Sequence, residues 1–363
     1  MIRVNETIVP PTDALSGDLH DVLRSGTLTN NGPRVQALEE ALRDRTAAMH
    51  AFTTCHGTLA LHLVYTALRD RTGLGEVIVP AFTCSATISS MVWEGFHPVI
   101  VDVDPETFCI DPDAVRAAIT PDTVGLCGVH VFGTACDVEA LEVIAHEHGL
   151  FVVYDGAHAM GTLWDGRSVL TRGTASMVSL HAYKIVSSVE GGALFCEDAD
   201  LFEQFRRLRY FGKDRSNLEV VLGTNAKMSE LNAVYGIHSL ARLDAELNAR
   251  ASIARVYDEA FMSQADVRLQ QVDQRVRPNR SYYAVVLRDA RTRERVIRSC
   301  LDRGIELRAY FTPSLSDLRF YGATVHATAA SDDLADRVVC LPIHGRLGSQ
   351  DVERVKESIL EAL

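Results

Sequence analysis

Between residues 50 and 196 short apolar runs alternate with stretches of helical spacing, and this alternation restricts the possible folds more than any other property of the chain. The apolar runs cover Phe52-Thr53-Thr54 and residues 76–80, 97–104, 125–132 and 151–154. Helical spacing begins at Thr58, passes through Met91 and Trp93, and returns over 113–119 and 137–148. Short strands separated by amphipathic helices form a mainly parallel sheet covered on both faces. An earlier helix is expected over 35–49, with Val35, Leu38 and Leu42 on one face, after the turn Thr29-Asn30-Asn31-Gly32-Pro33. Beyond residue 197 comes a basic helical piece carrying Arg206, Arg207, Arg209, Lys213 and Arg215. A long amphipathic helix follows over 229–261, with a break expected near Asn248. A second set closes the chain: strands over 281–287 and from Gly304 to Arg308, and helices over 292–303 and 351–363. The division expected is a large α/β domain, residues 1–245, and a small C-terminal α+β domain, residues 246–363, against which the first residues can also pack.

Charge and cysteine usage exclude several classes of function. A net charge of −12 opposes nucleic acid or an anionic membrane as the main partner, and any phosphorylated substrate must be met by a local basic cluster. No apolar run approaches the roughly 18–20 residues of a membrane span, and no apolar segment of a secretory signal follows Arg3. The eight cysteines are scattered without a CxxC pair, as expected of reduced thiols in a cytoplasmic protein. Gly73-Leu74-Gly75 precedes a strand and lacks the third glycine of a dinucleotide fingerprint, and no Walker lysine loop occurs. His146 and His148, two apart on a helix, face different directions, so no metal site is expected.

One lysine stands apart. From Gly173 to Cys196 the only formal charges are Lys184 and Glu190, so Lys184 sits among small and apolar residues. Burial lowers an amine's pKa, and a desolvated lysine suits Schiff-base chemistry. The apolar run Phe151-Val152-Val153-Tyr154 ends in Asp155. Pyridoxal phosphate sites pair such a lysine with an acid that keeps the pyridine nitrogen protonated. An apolar strand ending in Asp is common in α/β proteins, so Asp155 gains its meaning from Lys184. Upstream, His56-Gly57-Thr58 opens a helix whose free N–H groups and dipole suit a phosphate, with the Thr58 hydroxyl as a further donor.

Asp155-Gly156-Ala157-His158-Ala159 resembles the cofactor-acid motif of the DegT/DnrJ/EryC1/StrS family of sugar aminotransferases. Ser179-Leu180-His181-Ala182-Tyr183-Lys184, with Glu190-Gly191-Gly192 after it, resembles that family's lysine motif. The likeness covers almost the whole chain in the family's order and is closest to members acting at C4 of dTDP-4-keto-6-deoxyglucose. It implies a PLP-dependent transferase fold of the aspartate-aminotransferase type (fold type I), whose large domain carries a mainly parallel seven-stranded sheet. It also implies pyridoxal 5'-phosphate as cofactor, a nucleotide-sugar substrate, an amino-acid donor such as glutamate, and a homodimer with a shared active site. By the same resemblance Lys184 is covalent anchor and general base, Asp155 holds the ring nitrogen, and His158 touches the ring edge. Gly57, Thr58, Ser179 and an Asn225 from the partner subunit hold the phosphate. Cys84 stands where the family usually stacks an aromatic ring, His56 where serine is usual, and Lys227 where arginine is more frequent. His181, Lys227, Tyr310 and His344 fall at positions bordering the substrate cleft. The basic run from Arg206 to Arg215 reads as a solvated helix face or as a diphosphate contact. Two other readings remain: a 3-keto sugar or cyclitol aminotransferase of the family, or a non-catalytic PLP-binding regulator. A sugar 3-dehydratase would carry histidine in place of Lys184, and no DNA-binding module of a regulator is visible.

Overall fold

The computed structural model describes residues 1–317 and 321–363. The strands are β1 (His50–Thr54), β2 (Glu76–Pro80), β3 (His97–Val101), β4 (Thr123–Val129), β5 (Phe151–Asp155), β6 (Leu163–Trp164) and β7 (Arg167–Ser168). They continue with β8 (Ala175–Ser179), β9 (Gly192–Cys196), β10 (Val267–Leu269), β11 (Val276–Arg277), β12 (Tyr283–Leu287), β13 (Thr324–Val325) and β14 (Val338–Leu341). The main sheet runs β1-β9-β8-β5-β4-β2-β3-β13. Only β9 runs against its neighbours; the pairs from β8 across to β13 are parallel. Seven of these strands are the ones the alternation and the family likeness led us to expect. The eighth, β13, comes from the C-terminal part of the chain and pairs with the outer edge of β3, where two residues carry no periodic signal.

Central strands read as continuous apolar runs because both faces are covered. All five residues of β5 are buried, and its two faces feed different cores: Val152 and Tyr154 enter one, Phe151 and Val153 the other. Local chemistry delivers β5 in register. Asp137 caps the helix Val138–His148 by accepting from Ala140 N at 3.0 Å, and Gly149 ends it at φ 68°. Such a cap contributes about 1 kcal/mol, and a left-handed terminal residue favours glycine.

A third core gathers Ile2 with Tyr257, Phe261, Val285, Val339, Val355 and others, beneath the antiparallel sheet β10-β12-β14. Not all of the chain after residue 245 lies in that layer, because β11 pairs with β6 and β13 with β3. Two expectations need correction here. The helix over 229–261 is two helices, Glu230–Leu240 and Leu243–Phe261, broken at Ala241 and Arg242 and not near Asn248. The Ser239 hydroxyl at this break accepts from Ser187 N at 2.9 Å, a distant contact that sequence spacing does not register. The segment from Gly304 to Arg308 makes only isolated bridges, Ile305 to Ile2 and Arg308 to Cys340, and the neighbouring strand of β12 is β14. Among the described residues no helix is long and apolar enough to cross a membrane.

Candidate active site

The C-terminal ends of β1, β2, β4, β5 and β8 converge on one cavity of about 350 Å³, the position where open α/β sheets bind ligands. Asp155, the last residue of β5, is 4% exposed and borders this cavity. Its carboxylate accepts from Thr87 Oγ1 at 2.7 Å and from Ala157 N at 3.0 Å, and Thr87 is in turn hydrogen-bonded to Thr83 at 2.8 Å. Burial raises the pKa of Asp155, and these two hydrogen bonds and the charge of Lys184 oppose the rise.

Lys184 borders the same cavity and makes no hydrogen bond or ion pair through Nζ with any described residue. Its ammonium lies 5.9 Å from the centre of the Tyr282 ring. Burial lowers its pKa to about 8, against the attraction of Asp155 and Cys84. At neutral pH a measurable fraction is therefore the free amine, the form that attacks carbonyls and accepts protons. His158 follows β5 and packs among aromatic rings, parallel to Phe311 at 6.2 Å and tilted against Tyr282 at 4.8 Å. Burial, then the nearby Lys184, holds its imidazole well below the usual histidine range, so it is neutral at physiological pH.

The start of the helix Gly57–Thr72 also borders the cavity. Gly57, Thr58 and Ser179 line it, and backbone packing there is close. A Cβ on Gly57 would lie 3.3 Å from that of Ser179, and one on Gly192 would lie 2.7 Å from Gly57 Cα. Glu190 stands between two histidines at this end, 3.3 Å from His56 Nδ1 and 3.5 Å from His181 Nε2.

Of the residues singled out in the sequence, Gly57, Thr58, Cys84, Asp155, His158, Ser179, His181, Lys184 and Tyr310 meet around this cavity. Three do not border it. Asn225 is exposed and bridges to Tyr210, Lys227 lies over the rings of Tyr210 and Phe211, and His344 is buried with neither ring nitrogen hydrogen-bonded. Within the basic run, Arg206, Arg207 and Arg215 all pair with Glu203, and the buried Arg209 pairs with Glu39. That favours the solvated and structural reading of the run over the diphosphate one. Sequence inspection missed Thr87 and Tyr282. Thr83 and Thr87, four apart at a helix start, were the one readable hint. Tyr282 arrives from more than 95 residues beyond Lys184 and carried no local signal, whereas Phe311 adjoins Tyr310 in the stretch the family likeness sets at the cleft. The cavity's aromatic surface comes from Tyr183, Tyr282, Tyr310, Phe311 and His158, while Cys84 offers a soft sulfur instead of a ring.

The family model described as the DegT/DnrJ/EryC1/StrS aminotransferase family matches residues 12–360. A dTDP-4-amino-4,6-dideoxy-D-glucose transaminase from Shigella dysenteriae is 33% identical over 99% of this chain and 98% of its own. A GDP-perosamine synthase from Caulobacter vibrioides is 31% identical over 93% and 92%. The crystal structure of DesI in the presence of its TDP-sugar product superposes with a TM-score of 0.92 at 35% identity, covering 99% of this chain and 93% of the other.

Proposed function

The chain belongs to the DegT/DnrJ/EryC1/StrS aminotransferase family, and on that footing we propose that it moves an amino group from an amino acid to C4 of a dTDP-4-keto-6-deoxyglucose. The Shigella relative is named for a 4-amino-4,6-dideoxy product, and a transaminase reaches a 4-amino sugar from the 4-ketone. The observation that carries the reading is the pair Lys184 and Asp155, both facing one cavity with no direct ion pair between them. A buried carboxylate without a cationic partner needs a charged donor from elsewhere.

The residues present fit pyridoxal 5'-phosphate. Asp155 would accept a hydrogen bond from the protonated ring nitrogen, Gly57, Thr58 and Ser179 would hold the phosphate, and His158 would meet the ring edge. When bound, the cofactor supplies an aldehyde for amines and a ring that acidifies the carbon next to them. The chain's own part is proton handling and exclusion of water. Lys184 Nζ is the anchor and, once freed, the base that accepts and returns the proton at the amine-bearing carbon. Thr87 and Ala157 N favour the ionised Asp155 carboxylate against the burial that raises its pKa, and fix its position at the cavity. Tyr282 and Phe311 wall the site with apolar surface, which keeps the Lys184 pKa low.

The proposal includes a homodimer with shared sites. Support comes from the loop beside Asn225, where Phe211, Leu218, Val220 and Leu222 are exposed at 44%, 63%, 49% and 88%. Contiguous apolar exposure of this kind marks an interface, and a second copy over it would bring Asn225 and Lys227 to the neighbouring cavity. All eight cysteines are free and six are buried, which supports a reducing, cytoplasmic setting. The deciding experiment supplies purified enzyme and glutamate with dTDP-4-keto-6-deoxyglucose beside other nucleotide keto sugars, and reads amine formation by mass spectrometry. Amination of the 4-keto sugar is expected; preference for a 3-keto sugar or a cyclitol ketone would overturn the assignment.

A further inference from the structure

Three segments far apart in the chain meet at Asn279, which follows β11 and is 1% exposed. Its Nδ2 donates to the carbonyls of His158 at 2.6 Å and Met160 at 2.8 Å, and its Oδ1 accepts from Ser281 N at 2.8 Å. Both amide hydrogens and the amide oxygen are thus in use. An aspartate here, with no N–H to give, would leave two carbonyls without a donor. The backbone N of Asn279 donates to Gly133 O at 3.2 Å, a carbonyl that also accepts from Thr162 Oγ1 at 2.7 Å. Gly133 stands at φ 91°, and a Cβ there would overlap Asn279 Oδ1. Only a glycine leaves room for the amide at that conformation.

Asn279 does not itself border the reaction cavity, but side chains at or beside its partners do. His158 carries one of the two accepting carbonyls, and Tyr282 follows Ser281. Tyr282 N donates to Phe132 O at 3.2 Å, so the same joint also holds the segment after β4. The rings of these segments form one cluster. Phe132 lies parallel to His158 at 6.3 Å and tilted against Tyr282 at 5.7 Å, and Phe311 is parallel to both Phe132 and His158. Lys184 Nζ faces the Tyr282 ring from 5.9 Å. Ring contacts tolerate sliding, whereas hydrogen bonds weaken steeply with misalignment and so fix the backbone on which the rings stand.

We infer that Asn279 is a positioning residue for transamination: it ties the carbonyls of His158 and Met160 to the segment entering β12, and so sets where His158 and Tyr282 stand around the cofactor and Lys184. The inference rests on the pyridoxal phosphate reading above. Its test compares Asn279→Ala and Asn279→Ser with Thr46→Val, which removes another buried hydrogen bond, Thr46 Oγ1 to Leu42 O at 2.8 Å, at the end of the helix Pro33–Thr46. Each holoenzyme is assayed for kcat and both KM values, and its visible absorbance band is titrated with pH. In Asn279→Ala kcat falls about 10-fold to 100-fold, the cost of a misplacement of about 1 Å, while both KM values stay within about threefold. The band's midpoint rises by about one unit, because water admitted around the Lys184 nitrogen favours its protonated form. Asp155 and Cys84, whose charges act on Lys184, are untouched by these variants. Asn279→Ser keeps one donor and recovers part of both effects. Thr46→Val loses thermal stability and keeps the wild-type kcat and midpoint. An Asn279→Ala enzyme that loses only thermal stability overturns the positioning role; should that variant not fold, the same result in Asn279→Ser does so. A fall in kcat with an unmoved midpoint overturns it as well. If wild type shows no visible band with added pyridoxal phosphate, the cofactor reading itself falls and takes this inference with it.

Discussion

Arg250 and Glu246 sit four residues apart on one helix, exposed to only 1% and 3%, while Lys184 and Asp155 are brought together from two separate strand ends. The first pair is closed in by backbone, although Arg250 Nε makes no hydrogen bond and lies 3.8 Å from Glu246. Arg250 Nη1 donates to the carbonyls of Arg280, Ser281 and Ile343 at 3.3, 3.0 and 2.7 Å, and Glu246 accepts from Gly345 N at 3.1 Å. The second pair is held apart around a cavity, its anion bonded to a hydroxyl and an amide and its cation to nothing charged. Burial depresses both cations, Arg250 to about 10 and Lys184 to about 8. Only the lysine reaches a value at which its proton is exchangeable near neutrality. Closed, carbonyl-lined pairs fasten segments; open pairs with a gap between them are built for a third party.

The contrast can be broken in four ways. Lys184→Met should lower transamination on the order of 10⁴-fold with the fold retained, read by steady-state rates. Arg250→Met should do the reverse, leaving Glu246 buried and unpaired at a cost of about 3–5 kcal/mol in urea unfolding. A loss under 1 kcal/mol would show that the fastening role is misassigned. Cofactor-free Lys184→Met should be more stable than wild type at pH 7 by about 3 kcal/mol. The folded pKa lies below the unfolded one, so wild type carries this penalty below pH 8 and sheds it as pH rises toward 10.5. Parallel unfolding curves at pH 7 and 10 should converge, and a gap that widens would contradict the sign. Smallest is Thr87→Val, which removes a hydrogen bond to a charged group worth about 1.5 kcal/mol. It should move the Asp155 pKa further up, so that cofactor affinity begins to fall at a higher pH on the acid side.

How far the sequence alone reached follows from the same contrast. Lys184 was conspicuous because its charge is isolated over two dozen residues, and Asp155 because it ends an apolar run; both are local facts. Strand–helix alternation carried the main sheet for the same reason. Partners supplied from afar were invisible: Thr87 under Asp155, Tyr282 beside Lys184, Glu39 against Arg209. The basic run showed the hazard most plainly, since its composition resembles an anion site and Glu203 occupies three of its arginines.

The two-residue strand β13 has a mechanical consequence. With β11 stitched to the β6–β7 hairpin and β13 to the rim of β3, the C-terminal part of the chain is moored at two points, one on that hairpin and one on the main sheet. Swinging that part as one rigid door would tear ladder bonds at both moorings. Substrate traffic is therefore confined to rearrangements the size of a side chain or a short loop, and Tyr183 and Tyr310 are the parts placed to make them.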